Sequence, residues 1–184
     1  IRILLYIGGI MNNKAWIYKV FLLTFILSCL FSIISNIISN SLSSIFLFII
    51  LILIIVIGII FDMIGVAVLT SKEKTFLSIA SQKIIGGKET IGLLKNSSKI
   101  SSICNDVIGD ICGIISGSIG AVLAISVSNS TNINLSIISV LLTAFISSFT
   151  VGGKAICKSI ATKNSDKISF LVGKVLANLK IKIK

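Results

Sequence analysis

The chain reads as an all-α integral membrane protein: four transmembrane helices, with cytoplasmic amphipathic helices between spans two and three and after span four. Three observations lead there. Of its 184 residues 55% are hydrophobic and 12% charged, with neither proline nor histidine, and the mean hydropathy is +1.10; that is a membrane composition. A helix crosses a bilayer with about 20 apolar residues, and four windows suffice: residues 16–36, 45–69, 100–127 and 135–151, the last short unless it runs past Gly153. Finally, the seventeen Lys and Arg residues lie before or at the start of the first span, between the second and third, and after the fourth.

That charge distribution fixes the expected topology. The loops 37–44 and 128–134 carry no charge of either sign, so the positive-inside rule puts the N-terminus, the 71–99 loop and the 154–184 tail in the cytoplasm of a multi-pass cell-membrane protein. Arg2, Lys14 and Lys19 precede the first apolar run, but the run is too long for a signal peptide and no small-x-small cleavage site follows it. Met11 opens an ordinary start, so translation is expected to begin there.

The net charge of +11 does not point to nucleic acid, because lysines flanking spans answer to topology and to anionic lipid headgroups, and no aromatic residues are interleaved with them. Cys29, Cys104, Cys112 and Cys157 form no Cys-x-x-Cys pair and read as small buried hydrophobes. The sequons at Asn129 and Asn134 read as incidental in a composition rich in Ile, Lys, Asn and Ser, which suits an AT-rich bacterial genome. No enzyme is expected: there is no histidine, no nucleophile with a base, and no phosphate-binding glycine loop.

Between spans two and three, Phe76, Leu77, Ala80 and Ile84 recur at helical spacing, Gly86-Gly87 breaks the pattern, and Ile91, Leu94 and Lys95 resume it. Two short helices on the inner membrane face are expected. The tail sets Ile168, Leu171, Val172, Val175, Leu176, Leu179 and Ile183 on one face, with Lys163, Lys167, Lys174 and Lys180 largely elsewhere. Such a stripe fits an interfacial helix; a helix packed on a partner domain would show it too.

The third span carries the chemistry. At about 100° per residue, Ser102, Asp106, Gly109, Asp110, Gly113 and Gly117 share one strip, opposite Cys104, Ile108, Ile111 and Ile115. Gly109, Gly113 and Gly117 let a helix approach closely, which alone means only packing. The aspartates raise the stakes, since a carboxylate at mid-span costs about 2.5–3.5 kcal/mol and persists when paired, protonated or binding something. Counted at about 1.5 Å per residue from Thr70 and Ile100, Asp62 lies about 12 Å deep, Asp106 about 9 Å and Asp110 about 15 Å, in a core about 30 Å thick. Three carboxylates could thus share a layer. Oxygen-rich sites without His or thiolate suit Mg²⁺, and Asn105, Ser101, Ser102 and glycine carbonyls could add neutral oxygens. The competing readings are a protonated Asp bonded between helices, or a solvated Asp106 near the interface.

Four stretches then carry a resemblance: "GVAVLTS" at 65–71, "GGKETIGLLKN" at 86–96, the polar third span, and "GKAICKSIATKNSDKISFLVGKVL" at 153–176. From Phe61 onward, about two thirds of the chain, the sequence resembles the transmembrane domain of the CorB/CorC (cyclin M) magnesium transport family, without the CBS and C-terminal domains of longer members. The resemblance implies a divalent-cation transporter, Mg²⁺ first with Co²⁺ or Na⁺ as alternatives, exporting Mg²⁺ against Na⁺ entry as a homodimer. It implies a pocket near Asp62 and Met63, at Asn105 or Asp106 with Gly109 or Asp110, and at Gly153. It divides the chain into an N-terminal flank and extra span (1–44), a transmembrane core (45–161) and a juxtamembrane helix (162–184). Lys154 stands where the family has a Glu, and Cys157 where it has a Pro. Metal ligands are therefore expected at Asp106, Asp110, Asp62 and Asn105, with Gly109, Gly153 and Ser102 in support and Lys154 as a charge in the site. The other reading is a non-transporting assembly or regulatory subunit on the same fold, with Lys154 paired internally to an aspartate.

Overall fold

The computed structural model describes Ser43 to Leu179 apart from Lys83, together with Tyr18 and scattered positions from Phe21 to Ile37. The described residues contain helices and no strand. Three helices are long and apolar enough to cross a membrane. They comprise α1 (Ser44–Thr70), a 35-residue helix formed by α4 (Ser97–Ser102), a π-turn (Ile103–Ile108) and α5 (Gly109–Thr131), and α6 (Leu135–Lys163). Between the first two come α2 (Glu73–Ser81) and α3 (Gly87–Lys95); α7 (Ser165–Asn178) follows α6. The bounds of the expected first span, and Met11, lie outside the described residues, although the described positions between Tyr18 and Ile37 are helical.

The ends of the long helices are set by caps, which is why they differ from the apolar runs. At the end of α1, Thr70 Oγ1 donates to the Val66 carbonyl at 2.8 Å and Ser71 Oγ to that of Ala67 at 2.9 Å, beside the Ser71 amide that bonds the same Ala67 carbonyl at 3.0 Å, so both hydroxyls are satisfied within the last turn. α5 runs past Val127 to Thr131 and stops where Asn132 turns left-handed at φ 54°. Two residues on, Asn134 Oδ1 accepts from the Ser136 amide at 2.9 Å and caps α6. α6 continues beyond Val151 to Lys163, so Lys154 and Lys158 sit inside a long helix and not in a tail after it. No proline interrupts its hydrogen-bond ladder.

The chain packs as two units. In the first, residues up to Gly58 and Gly109–Gly153, the buried side chains include Leu47, Leu51, Ile55, Ile119, Leu123 and Ile138. Gly58 lies against Cys112, and Gly120 makes room for Ile146. Small polar residues also turn inward: Ser116 is buried with its hydroxyl on the Gly113 carbonyl, and Ser32 Oγ meets Ser118 Oγ at 3.3 Å. Phe21, Phe25, Ile33, Val140, Leu141 and Phe149 face outward. Hydrocarbon solvates exposed Phe and Ile but leaves a hydroxyl unsatisfied, which suits the inward turn of Ser116; the exposed hydroxyls of Thr143 and Ser148 donate instead to carbonyls of their own helix, those of Ser139 and Phe145.

The second unit holds Ile59–Ile108 and Lys154–Lys184, described here to Leu179. Val66, Ala67 and Ala161 form its core, with Met63 and Ile168 against them. Phe76 is buried and stacks on Phe170 at 6.2 Å between ring centroids. Gly86, at φ 93°, makes the expected break between α2 and α3, and its Cα abuts the Lys174 backbone so closely that any side chain there would collide. Gly173 meets Thr90 and the Gly86 carbonyl in the same crossing. Ser71 and Ser169 share a 2.7 Å hydrogen bond, and the Lys72 amide donates to Asp166 Oδ1 at 3.3 Å. The apolar stripe expected on the tail divides: Leu176, Ser169 and Gly173 are buried, whereas Leu171, Val175 and Leu179 are exposed; Lys180 and Ile183 lie outside the described residues.

Candidate intramembrane polar site

Within the second unit, three polar side chains come from three helices. Asp62 is eight residues from the end of α1 and Lys154 nine from the end of α6; Asn105 is eight from the start of α4. At about 1.5 Å per residue, each lies about 12–14 Å from its helix end. Lys154 Nζ stands 3.8 Å from Asp62 Oδ1, with side chains 32% and 15% exposed. This is an ion pair at the long end of contact, inside helices apolar enough to span a membrane.

Asn105 lies in the π-turn. A π-turn carries an extra residue per turn, which swings one side chain out of the α-helical register, and such turns concentrate at functional positions. Here it aims the amide at α1: a Cβ at Gly65 would overlap Asn105 Oδ1, and Cys104 Cβ would be 3.1 Å away. The Asn105 amide nitrogen donates to Ser101 Oγ at 3.4 Å. Its carbonyl oxygen is buried and has no hydrogen-bond partner. Gly65 is thus needed for close approach, a role the sequence does not advertise.

Asp106 and Ser102 are exposed, on the far side of their turns from buried Cys104 and Ser101. In the first unit, Asp110, Gly113 and Gly117 are exposed, Gly109 is buried and Gly153 is half-buried. Among the described residues no atom lies within 4 Å of the Cβ position at Gly113 or Gly117, so neither glycine is filled by a neighbouring helix. These two line one wall of a groove of about 280 Å³ whose other wall is Ser139, Thr143 and Ser147 of α6. Thr143 Oγ1 is committed to the Ser139 carbonyl at 2.7 Å.

Among the described residues no three His, Cys, Asp or Glu side chains converge to hold a metal. Asp62 faces a lysine, whereas Asp106 and Asp110 are exposed; the buried residues of α5 are Gly109, Ser116, Ile119, Gly120, Leu123 and Ala124. The four cysteines are thiols, with Cys104 buried, Cys112 and Cys157 half-buried and Cys29 exposed; the expectation of small buried hydrophobes fails at Cys29. No protein-family model, curated protein or solved structure matches the chain.

Proposed function

We propose that this chain is a multi-pass membrane protein on the CorB/CorC-like plan in which its own Lys154 stands where a transported cation would, and that it serves as a non-transporting assembly or regulatory subunit. The observation that carries this reading is the 3.8 Å approach of Lys154 Nζ to Asp62 Oδ1. Asp62 is the carboxylate on α1 facing the site, and an ammonium already neutralises it; a divalent cation would have to expel a like charge tethered to α6. In a medium of low dielectric, that repulsion outweighs what one carboxylate and a few neutral oxygens return. The reading includes four spans with both termini cytoplasmic, from the placement of the basic residues. It also includes a homodimer, since Asp110, Gly113 and Gly117 of the first unit are exposed together on α5, a polar, side-chain-poor surface that lipid does not favour.

One observation favours a second reading, divalent-cation export. The buried carbonyl of Asn105 is without a partner, and an orphaned oxygen at this depth is what a passing Mg²⁺, or Co²⁺ or Na⁺, would use. Reconstitution distinguishes the two. Purified protein in liposomes loaded with a Mg²⁺-sensitive dye should show no flux above empty liposomes, and millimolar Mg²⁺ should leave its melting temperature unchanged. Saturable Mg²⁺ flux lost on Asp62→Ala would replace the first reading by the second.

A further inference from the structure

We infer that α7 is a lipid-binding helix: Leu171, Val175 and Leu179 enter the headgroup–acyl boundary of an anionic leaflet, with Lys163, Lys167 and Lys174 on its phosphates. This rests on the long helices being membrane spans and not on the state of the Asp62–Lys154 site.

α7 has two apolar faces, and packing uses one. Gly173 closes on Thr90 and the Gly86 carbonyl, Ser169 bonds Ser71, and Leu176 is buried beside them. Taking Leu171 as the origin and 100° per residue, these three fall near 140–200°. The exposed set lies elsewhere: Leu171 at 0°, Val175 near 40° and Leu179 near 80°, with 63%, 48% and 61% of their surfaces open. Two lysines of α7 occupy a third sector, Lys174 and Lys167 near 300–320°, and Lys163 ends α6 just before Asn164 breaks the helix. All three are exposed, and Lys174 lays its ammonium 4.7 Å from the centre of the Phe170 ring.

Two features identify the occupant. Asn164 alone separates α7 from the end of α6, so the helix leaves from the end of a candidate span, where headgroups are. The charge is also one-sided. The one acid of α7, Asp166, accepts from the Lys72 amide, while Lys167 and Lys174 border the open apolar arc and exposed Lys163 ends the preceding helix. An apolar arc edged by cations matches an anionic leaflet, which offers acyl chains and phosphates side by side.

The test uses the full chain, whose single tryptophan is Trp16. In a Trp16→Phe background, Leu171→Trp is reconstituted into phosphatidylcholine vesicles with or without phosphatidylglycerol, one lipid at a time brominated on its acyl chains. The indole should be quenched by both brominated lipids and more strongly by brominated phosphatidylglycerol at equal fraction. Lys163→Gln with Lys167→Gln should abolish that preference, a loss of about fivefold in local enrichment per lysine at low salt. Leu179→Trp gives the same reading should the first variant fold poorly. An indole at both positions that no brominated lipid quenches, whether wet or buried against protein, would overturn the inference. So would equal quenching by the two lipids that ignores the lysine changes. Asp62→Leu with Lys154→Leu, which replaces the whole ion pair, should leave these readouts unmoved, so failure here and failure of the cation reading remain distinguishable.

Discussion

Gly65 and Asn105 fit together as bump and hollow: the amide oxygen of Asn105 occupies the space a side chain at position 65 would need. The fit holds α1 against the π-turn, one helical turn along α1 from Asp62.

Gly65→Ala should therefore destabilise the protein by about 1–3 kcal/mol, the usual cost of overpacking a close contact. Asn105→Ala should be neutral or stabilising, because it removes a buried oxygen without a partner. Combining the two should restore most of what Gly65→Ala loses. Thermal unfolding in detergent reads all three; a double variant as unstable as Gly65→Ala alone would show that the glycine serves some other contact.

The Asp62–Lys154 pair calls for a double-mutant cycle. Lys154→Ala leaves a carboxylate alone among apolar helices and should cost near the lower end of about 3–5 kcal/mol, since Lys154 is one-third exposed. Asp62→Leu with Lys154→Leu should recover that loss or exceed wild type, as apolar replacement of whole buried pairs often does. Strictly additive losses would mean that the two groups do not interact.

Much of this arrangement is legible in the sequence, and the misses have physical causes. Apolar runs locate α1, α5 and α6, and Gly86-Gly87 marks the α2–α3 break. Hydropathy cannot see helix ends fixed by capping: Asn132 and Asn134 extend α5 and start α6 within a stretch that reads only as polar, and Lys154 to Lys163 stay helical despite their charge. The π-turn has no residue signature. Uninterrupted 100° steps place Asn105 beside the aspartate strip, but the turn sends it inward to Gly65 while Asp106 stays outside. Lys154 is legible as a charge in the site; its partner emerges only once α6 is known to continue.

The outward strip on α5 bears on assembly. If a second copy covers it, Gly117→Cys should form a disulfide between copies in membranes treated with a mild oxidant, above the background of the native cysteines. Asp110→Leu should weaken that crosslink by removing a polar contact while relieving the cost of the carboxylate. No crosslink at either Gly113→Cys or Gly117→Cys would argue that the strip meets lipid or solvent and that the protein is monomeric along this face.

Topology provides the last test, and the charge pattern makes it sharp. α5 ends at Thr131 and α6 begins at Leu135, so the uncharged turn between them lies at the opposite ends of these helices from Lys99 and Lys163. Moving lysines across the bilayer is opposed during insertion, whereas an uncharged turn crosses freely. A cysteine at Ser130 should therefore react with an impermeant thiol reagent added to intact cells. One at Lys88, on α3 and exposed, should react only after lysis. Cys29 is exposed in the structure, so each measurement is made in a Cys29→Ser chain. Labelling at 88 in intact cells, with 130 protected, would invert the orientation and place the basic unit containing α7 outside, away from the anionic inner leaflet on which its lysines are expected to act.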